Sequence, residues 1–236
     1  MGDDSAGVRR GLRTRLSRAR NAMFYVVPPR WRGRVAAALP ARLAPAPTQP
    51  DFFDSFYDSG DPFGFDVNPE EQLKFKKTLD VCGEGVFGRV LEIGCAVGSF
   101  TEMIAPRAIE VLAIDVSPAA IEQATRRLRG HSNVRLETRT LPGGFPDGPF
   151  DLVIASDVLY YLPVDAVLTC LGQIEAALAS GGSLVAVHFV TRMGTMLDGD
   201  EVHDILTEHT TMSRTLGERT EFGPGRPYRI DRYQKA

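Results

Sequence analysis

No apolar run in this 236-residue chain approaches the roughly 20 residues needed to cross a bilayer. The longest early one, Ala22 to Val27, ends at Pro28-Pro29 rather than at a small-residue cleavage site, so neither a transmembrane segment nor a secretory signal is expected. Cysteine is scarce as well. Cys82, Cys95 and Cys170 are too widely spaced to staple the chain or to hold a metal, which suits a reducing cytoplasm and a site with no metal. The first 50 residues contain no lysine and only two acids against ten arginines, so they carry +8 while the remainder carries −11. An acidic body lacks the basic face that nucleic acid demands, and it favours a cationic or neutral small molecule.

What is present divides at about residue 50. Residues 1–50 are rich in Arg, Ala and Pro and read as an arm plus linker, largely solvated, or else as a short basic helix for an anionic surface. The main domain is expected over 51–236. Its opening stretch, 51–82, reads as a lid or cap: Phe52, Phe53, Phe56, Tyr57, Phe63 and Phe65 alternate with aspartates, and such aromatics must bury against the body. Asn68-Pro69-Glu70-Glu71 then has the form of a helix start, with Asn68 as N-cap and Glu71 in the capping-box position. Phe75, Leu79 and Cys82 supply the expected buried stripe.

From residue 89 onward strands alternate with helices. Val90, Leu91 and Ile93 form a run apolar on both faces, Val111 to Ile114 a second, Val134 to Glu137 a polar-alternating third, Phe150 to Ala155 a fourth and Ser183 to Val190 a fifth. The intervening helices begin near Ser99, Ser117-Pro118 and Val164, and the last of them runs to about Leu178 with Val167, Leu168, Leu171, Ile174 and Leu178 inward. This alternation predicts an α/β fold with an open, doubly wound, mostly parallel sheet. A short helix over 199–207 follows, with Val202, Ile205 and Leu206 inward, then an antiparallel terminal hairpin over 212–233.

In such sheets ligands dock beyond the carboxyl ends of the strands. Three loops converge there: Gly94 to Gly98, Asp115 with Val116, and Ser156 to Leu162. Asp115 lies 21 residues after Gly94, the place of a carboxylate that accepts both hydroxyls of a ribose. The loop is not a dinucleotide fingerprint, because the third glycine is absent. Glu92, two residues before the first glycine, would repel a pyrophosphate but tolerate an ammonium, so a cofactor with a ribose and a zwitterionic end fits better.

Glu92-Ile-Gly94-Cys-Ala-Val-Gly98, Asp115 and Phe150-Asp151-Leu152-Val153 followed by Ser156-Asp157-Val158-Leu159-Tyr160-Tyr161-Leu162 resemble the motifs of class I S-adenosylmethionine-dependent methyltransferases. Asp61-Pro62-Phe63, Glu71-Gln72, Lys74, the Gly182 to His188 run and Gly199-Asp-Glu-Val-His203 further resemble the nodulation protein S family of N-methyltransferases. The resemblance implies a Rossmann-like seven-stranded sheet, with S-adenosylmethionine as cofactor and S-adenosylhomocysteine as product. Glu92, Gly94, Cys95, Ala96 and Gly98 would wrap the methionine part, Asp115 and Val116 hold the ribose, and Thr140, Leu141 and Ser156 flank the adenine and sulfonium side. The chain departs from the family at Phe63, Glu70, Leu73 and Thr140, where tryptophan, tyrosine, arginine and an acid are usual. Losing an arginine at 73 removes a donor fork for acceptor oxygens.

Methyl transfer from a sulfonium needs an aligned, neutral acceptor, and an amine must shed its proton first. The candidate bases are His188, at the carboxyl end of the fifth strand, and Asp157; His188 reads equally as a histidine satisfied within the sheet edge. Tyr160 either joins the catalytic group or fills the gap between sheet and helix. Phe63, Glu71 and Tyr161 are expected on the substrate side, with Glu71 also read as a cap. His203, beside Asp200 and Glu201, reads as a surface or cap residue. The expected reaction is methylation of the amine of an amino sugar or glycosylated small metabolite. O-methylation and a non-catalytic binding protein are the alternatives. Composition leaves the oligomeric state open.

Overall fold

In the computed structural model, residues 53, 54, 57, 61, 63–191, 195–222 and 226–236 are described, so the expectations for the arm and for Phe52 and Phe56 lie outside them. Seven strands form one sheet in the order β3-β2-β1-β4-β5-β7-β6. They are β1 (Phe87–Ile93), β2 (Ala108–Asp115), β3 (Val134–Thr138), β4 (Phe150–Ser156), β5 (Leu178–Phe189), β6 (Ser213–Phe222) and β7 (Arg226–Gln234). β1 to β5 pair in parallel, whereas β7 runs antiparallel between β5 and β6. Strand order reverses between β1 and β4, which opens a crevice at their carboxyl ends.

The helices are α1 (Pro69–Val81), α2 (Ser99–Ile104), α3 (Pro118–Arg127), α4 (Val164–Ala177) and α5 (Gly199–His209). Both faces of the sheet are covered. Leu91, Ile93, Val153 and Ala186 pack with α4 and α5 on one face, while Val90, Ala113, Ile154 and Val187 pack with Phe75 of α1 and Phe100 of α2 on the other. Central strands buried on both sides must therefore be apolar almost throughout, which is why β1, β2 and β4 are legible as continuous runs.

Two boundaries differ from the sequence reading. α4 ends at Ala177, and Leu178 opens β5 opposite Phe150 rather than closing the helix. Leu168, expected inward, is 36% exposed, because the buried stripe of α4 is carried by Val167, Cys170, Leu171 and Ile174. At the head of α1, Asn68 caps as expected, its side chain accepting from the Glu70 N–H at 3.0 Å. Glu71 does not complete a capping box, since its carboxylate turns inward onto Lys74, 2.6 Å away.

Candidate functional site

The turn after β1 is shaped by two left-handed glycines. Gly94 has φ 76° and Gly98 φ 82°, and a Cβ at Gly94 would stand 2.9 Å from the Val158 side chain. Only glycine serves there without displacing the loop after β4. The Gly94 and Cys95 N–H groups donate to the Ile114 carbonyl at 2.8 and 3.0 Å, tying the turn to β2. Asp115, at the end of β2, accepts from the Ala96 N–H and from the Ser117 N–H, each at 2.9 Å. One carboxylate thus fixes the bend of the glycine turn and the entry to α3, and its remaining lone pairs stay on the cavity wall.

Every residue singled out above for a site role lines this one cavity except Gly98 and His188. At Gly98 a Cβ would sit 2.9 Å from Leu128 and 3.2 Å from Ala124 of α3, so glycine there lets α2 start close against α3. Glu92 is 3% exposed, and its Oε2 accepts from the Thr101 hydroxyl at 2.6 Å. Burial, with the nearby Asp115 charge adding to it, pushes its carboxyl up to about 7. A group raised this way favours the fold below its unfolded value, near 4.5, and that contribution fades as pH rises through about 7. Glu92→Gln, which keeps an acceptor for Thr101, is therefore expected to be more stable than the parent by about 2–3 kcal/mol at pH 8 and equal to it near pH 4. Urea unfolding at both pH values checks this, and a constant difference would refute it.

Of the described residues before α1, Phe53, Tyr57, Phe63 and Phe65 line the cavity. Asp54 accepts from the Ser117 hydroxyl and the Ala119 N–H, at the first turn of α3. Gln123 donates to the Tyr57 carbonyl at 2.6 Å. Asp61 accepts from the N–H groups of Phe63 and Gly64, and Asp66 pairs with Arg127 and with the Ser99 hydroxyl. Asp54, Asp61 and Asp66 thus cap and latch, and tilted ring contacts run from Phe63 through Phe65 and Phe75 to Phe100. Phe53 meets Tyr161 edge-on at 5.0 Å.

Opposite the glycine turn lies a buried ionic group. Lys74, 2% exposed, pairs with Asp157 and with Glu71, and its ammonium lies 4.3 Å from the centre of the Phe189 ring. Burial works against the charge, but the Asp157 and Glu71 carboxylates more than offset it and hold Lys74 above its ordinary value. Asp157 stands in left-handed backbone, φ 52°, with Oδ1 accepting from the Phe189 N–H at 3.0 Å and the Tyr160 hydroxyl at 3.1 Å. In the sequence Lys74 stands out only through the family resemblance; its place on a helix face beside Phe75 gives no sign that it points inward.

His188 requires a correction. It is fully buried, and its Nε2 accepts from the Leu159 N–H at 3.2 Å, so the lone pair a base needs is already used. Burial, then the nearby His203 and the Lys74 charge, lower its pKa well below the ordinary value. His203 is not at the surface either; it too is fully buried, 2.7 Å from Asp231.

Residues 91–184 match the family model of a methyltransferase domain. Nodulation protein S of Rhizobium tropici is 33% identical over 127 residues, 53% of this chain and 53% of that protein. A trans-aconitate 2-methyltransferase of Methylobacterium nodulans is 38% identical over 98 residues, 41% of this chain and 36% of its own length. The chain spans about half the length of the curated nodulation proteins that it matches. Among solved structures, the N-methyltransferase NodS of Bradyrhizobium japonicum, in complex with S-adenosyl-L-homocysteine, superposes with a TM-score of 0.70 at 28% identity, covering 76% of this chain and 94% of that one.

Proposed function

We propose, for a chain that is a relative of nodulation protein S among the class I S-adenosylmethionine-dependent methyltransferases, that it transfers a methyl group from S-adenosylmethionine to the amine of an amino sugar or glycosylated small metabolite. The residues fit that cofactor. The wall offers Asp115 for a ribose and the Gly94 turn for a close backbone approach. Arg139, on the same wall, donates from Nε to Glu137 and from Nη1 to the Gly144 carbonyl.

When bound, the cofactor supplies an electrophilic methyl group. The protein must hold an acceptor in line with it and remove the acceptor's proton. The observation that carries the amine reading is the cluster of Glu71 and Asp157 around the Lys74 ammonium, against the Phe189 ring. Two carboxylates and one ammonium leave an excess negative charge beside the rings of Phe75, Tyr160, Tyr161 and Phe189, which attracts a cation and stacks on the apolar face of a sugar. With the His188 lone pair engaged, Asp157 or a water beside it is the acceptor for the amine's proton. Tyr160, whose hydroxyl donates to Asp157, and Tyr161, at 4.8 Å from the Tyr160 ring, frame that carboxylate. Phe63, 36% exposed, stands at the rim.

O-methylation is the second reading. It is favoured by the same pairing, because Lys74 already neutralises one of the two acids. The full chain, given methyl-labelled cofactor and a panel of amino sugars with their hydroxyl counterparts, separates the readings by product mass. Methyl gain on nitrogen alone is expected. Gain on hydroxyl analogues alone overturns the amine assignment, and cofactor binding with no transfer to either overturns the enzyme.

A further inference from the structure

Behind the cavity, three buried side chains that the proposed chemistry does not use form a single file. His188 on β5, His203 on α5 and Asp231 on β7 are all 0% exposed. His188 Nε2 accepts from the Leu159 N–H at 3.2 Å, His188 Nδ1 lies 3.1 Å from His203 Nε2, and His203 Nδ1 lies 2.7 Å from Asp231 Oδ2.

One proton arrangement satisfies all three contacts. A backbone N–H can only donate, so His188 Nε2 is bare and its proton sits on Nδ1. That proton is donated to His203 Nε2, which must be bare in turn, and the Nδ1 proton of His203 goes to the carboxylate. Both rings are neutral and in the same tautomer. Asp231 is balanced by Arg229, 3.2 Å from Oδ2, and Arg214, 2.9 Å from Oδ1.

The far end of this file is the turn that presents Asp157, Tyr160 and Tyr161 to the cavity. Asp157 donates its N–H to the Val187 carbonyl at 2.7 Å and accepts from the Phe189 N–H at 3.0 Å, so the neighbours of His188 on both sides grip the same turn. Asp157 also needs support because its left-handed backbone is unfavourable for a residue with a side chain. We propose that His188 and His203 are positioning residues, a neutral histidine relay that anchors the acceptor wall from β7 through α5 and β5 to the Leu159 N–H. Its effect on turnover rests on the amine-methylating reading; its proton arrangement does not.

The relay has a defined range. Protonated His188 has no lone pair for Leu159, and it would face the Lys74 ammonium of α1 as well as His203, with Asp157 and Tyr160 on the turn. His203 faces Asp231 and Arg229 of β7 and Asp200 of α5, while Tyr233 and Arg214 share Asp231. For His203 burial outweighs the Asp231 carboxylate, so both rings lie below their ordinary values. The folded state thus favours neutral rings: the relay's contribution is complete above the unfolded histidine value of about 6.5 and is lost as pH falls through the folded values.

Histidine nitrogen NMR on the full chain tests the arrangement without any acceptor. Two rings holding the Nδ1–H neutral tautomer from pH 6.5 to 8 are expected, and an imidazolium or an Nε2–H form at either residue overturns the relay. For turnover, His188→Phe keeps a ring but removes the acceptor, and His188→Gln restores one. The phenylalanine variant is expected to lose tenfold or more in kcat with cofactor Kd within twofold, and the glutamine variant to recover most of it. Equal kcat in all three, or a Kd that weakens in step with kcat, overturns the positioning role. If the phenylalanine variant does not fold, amide exchange at Leu159 decides, with His203→Phe expected to speed it tenfold or more and an unchanged rate counting against the relay. Failure of every amine to accept a methyl group would remove the amine reading and leave the tautomer result standing.

Discussion

Asp115→Ala is expected to weaken binding of S-adenosylmethionine by about a hundredfold or more. Hydrogen bonds to a charged acceptor contribute roughly 1.5–3 kcal/mol each, and two ribose hydroxyls directed at this carboxylate would both be lost. The substitution also releases the Ala96 N–H that bends the glycine turn and the Ser117 N–H at the entry to α3. Asp115→Asn separates the two contributions, because an amide oxygen can still accept from one backbone N–H while the charge is gone. Calorimetric titration with S-adenosylmethionine should rank parent, asparagine and alanine in falling affinity. An unchanged Kd in the alanine variant would remove the ribose assignment and leave Asp115 as a turn residue.

Lys74→Ala should produce the largest loss of stability among substitutions in the cavity wall. The ammonium is buried between Glu71 and Asp157, and removing one partner of a buried ionic group leaves uncompensated charge, at a cost of about 3–5 kcal/mol. For a chain of this length that corresponds to a fall in Tm of roughly 10 °C. The paired variant Glu71→Gln with Lys74→Met removes one charge of each sign and should regain most of the loss, since a buried pair contributes little over an apolar replacement. Thermal unfolding of the three proteins at pH 7.5 decides it. If the single and paired variants melt together, the cluster is not held by its charges, and the excess negative charge invoked for amine binding has no basis.

Most of the sheet was legible because central parallel strands are covered on both faces and have to be apolar along their length; β1, β2 and β4 meet that condition in the sequence itself. The cofactor side was legible for a related reason. A tight turn that comes within 2.9 Å of Val158 admits only glycine at 94, and a carboxylate at the end of the next strand lies at a fixed chain distance from it. Local rules failed where a side chain's fate depends on another element. Glu71 has the spacing of a capping box, yet the capping bond it offers was outcompeted by a buried ammonium one helical turn away. Leu178 has the periodicity of a helix but pairs opposite Phe150 instead. His188 has the position and the unperturbed pKa of a base, and loses the first advantage to the Leu159 N–H and the second to burial, with the neighbouring His203 adding to it.

The amino-acid sequence by itself therefore determined the α/β alternation and the glycine turn with Asp115, since each follows from residues whose separation along the chain sets their separation in space. The tertiary structure alone decided which way the ionisable groups face. Lys74 comes from α1, Asp157 from the turn after β4, His188 from β5, His203 from α5 and Asp231 from β7. Lys74 meets Asp157 across 83 positions of the chain, and His203 meets Asp231 across 28 once β7 lies antiparallel beside β5; burial there removes the water that would otherwise keep their charges independent.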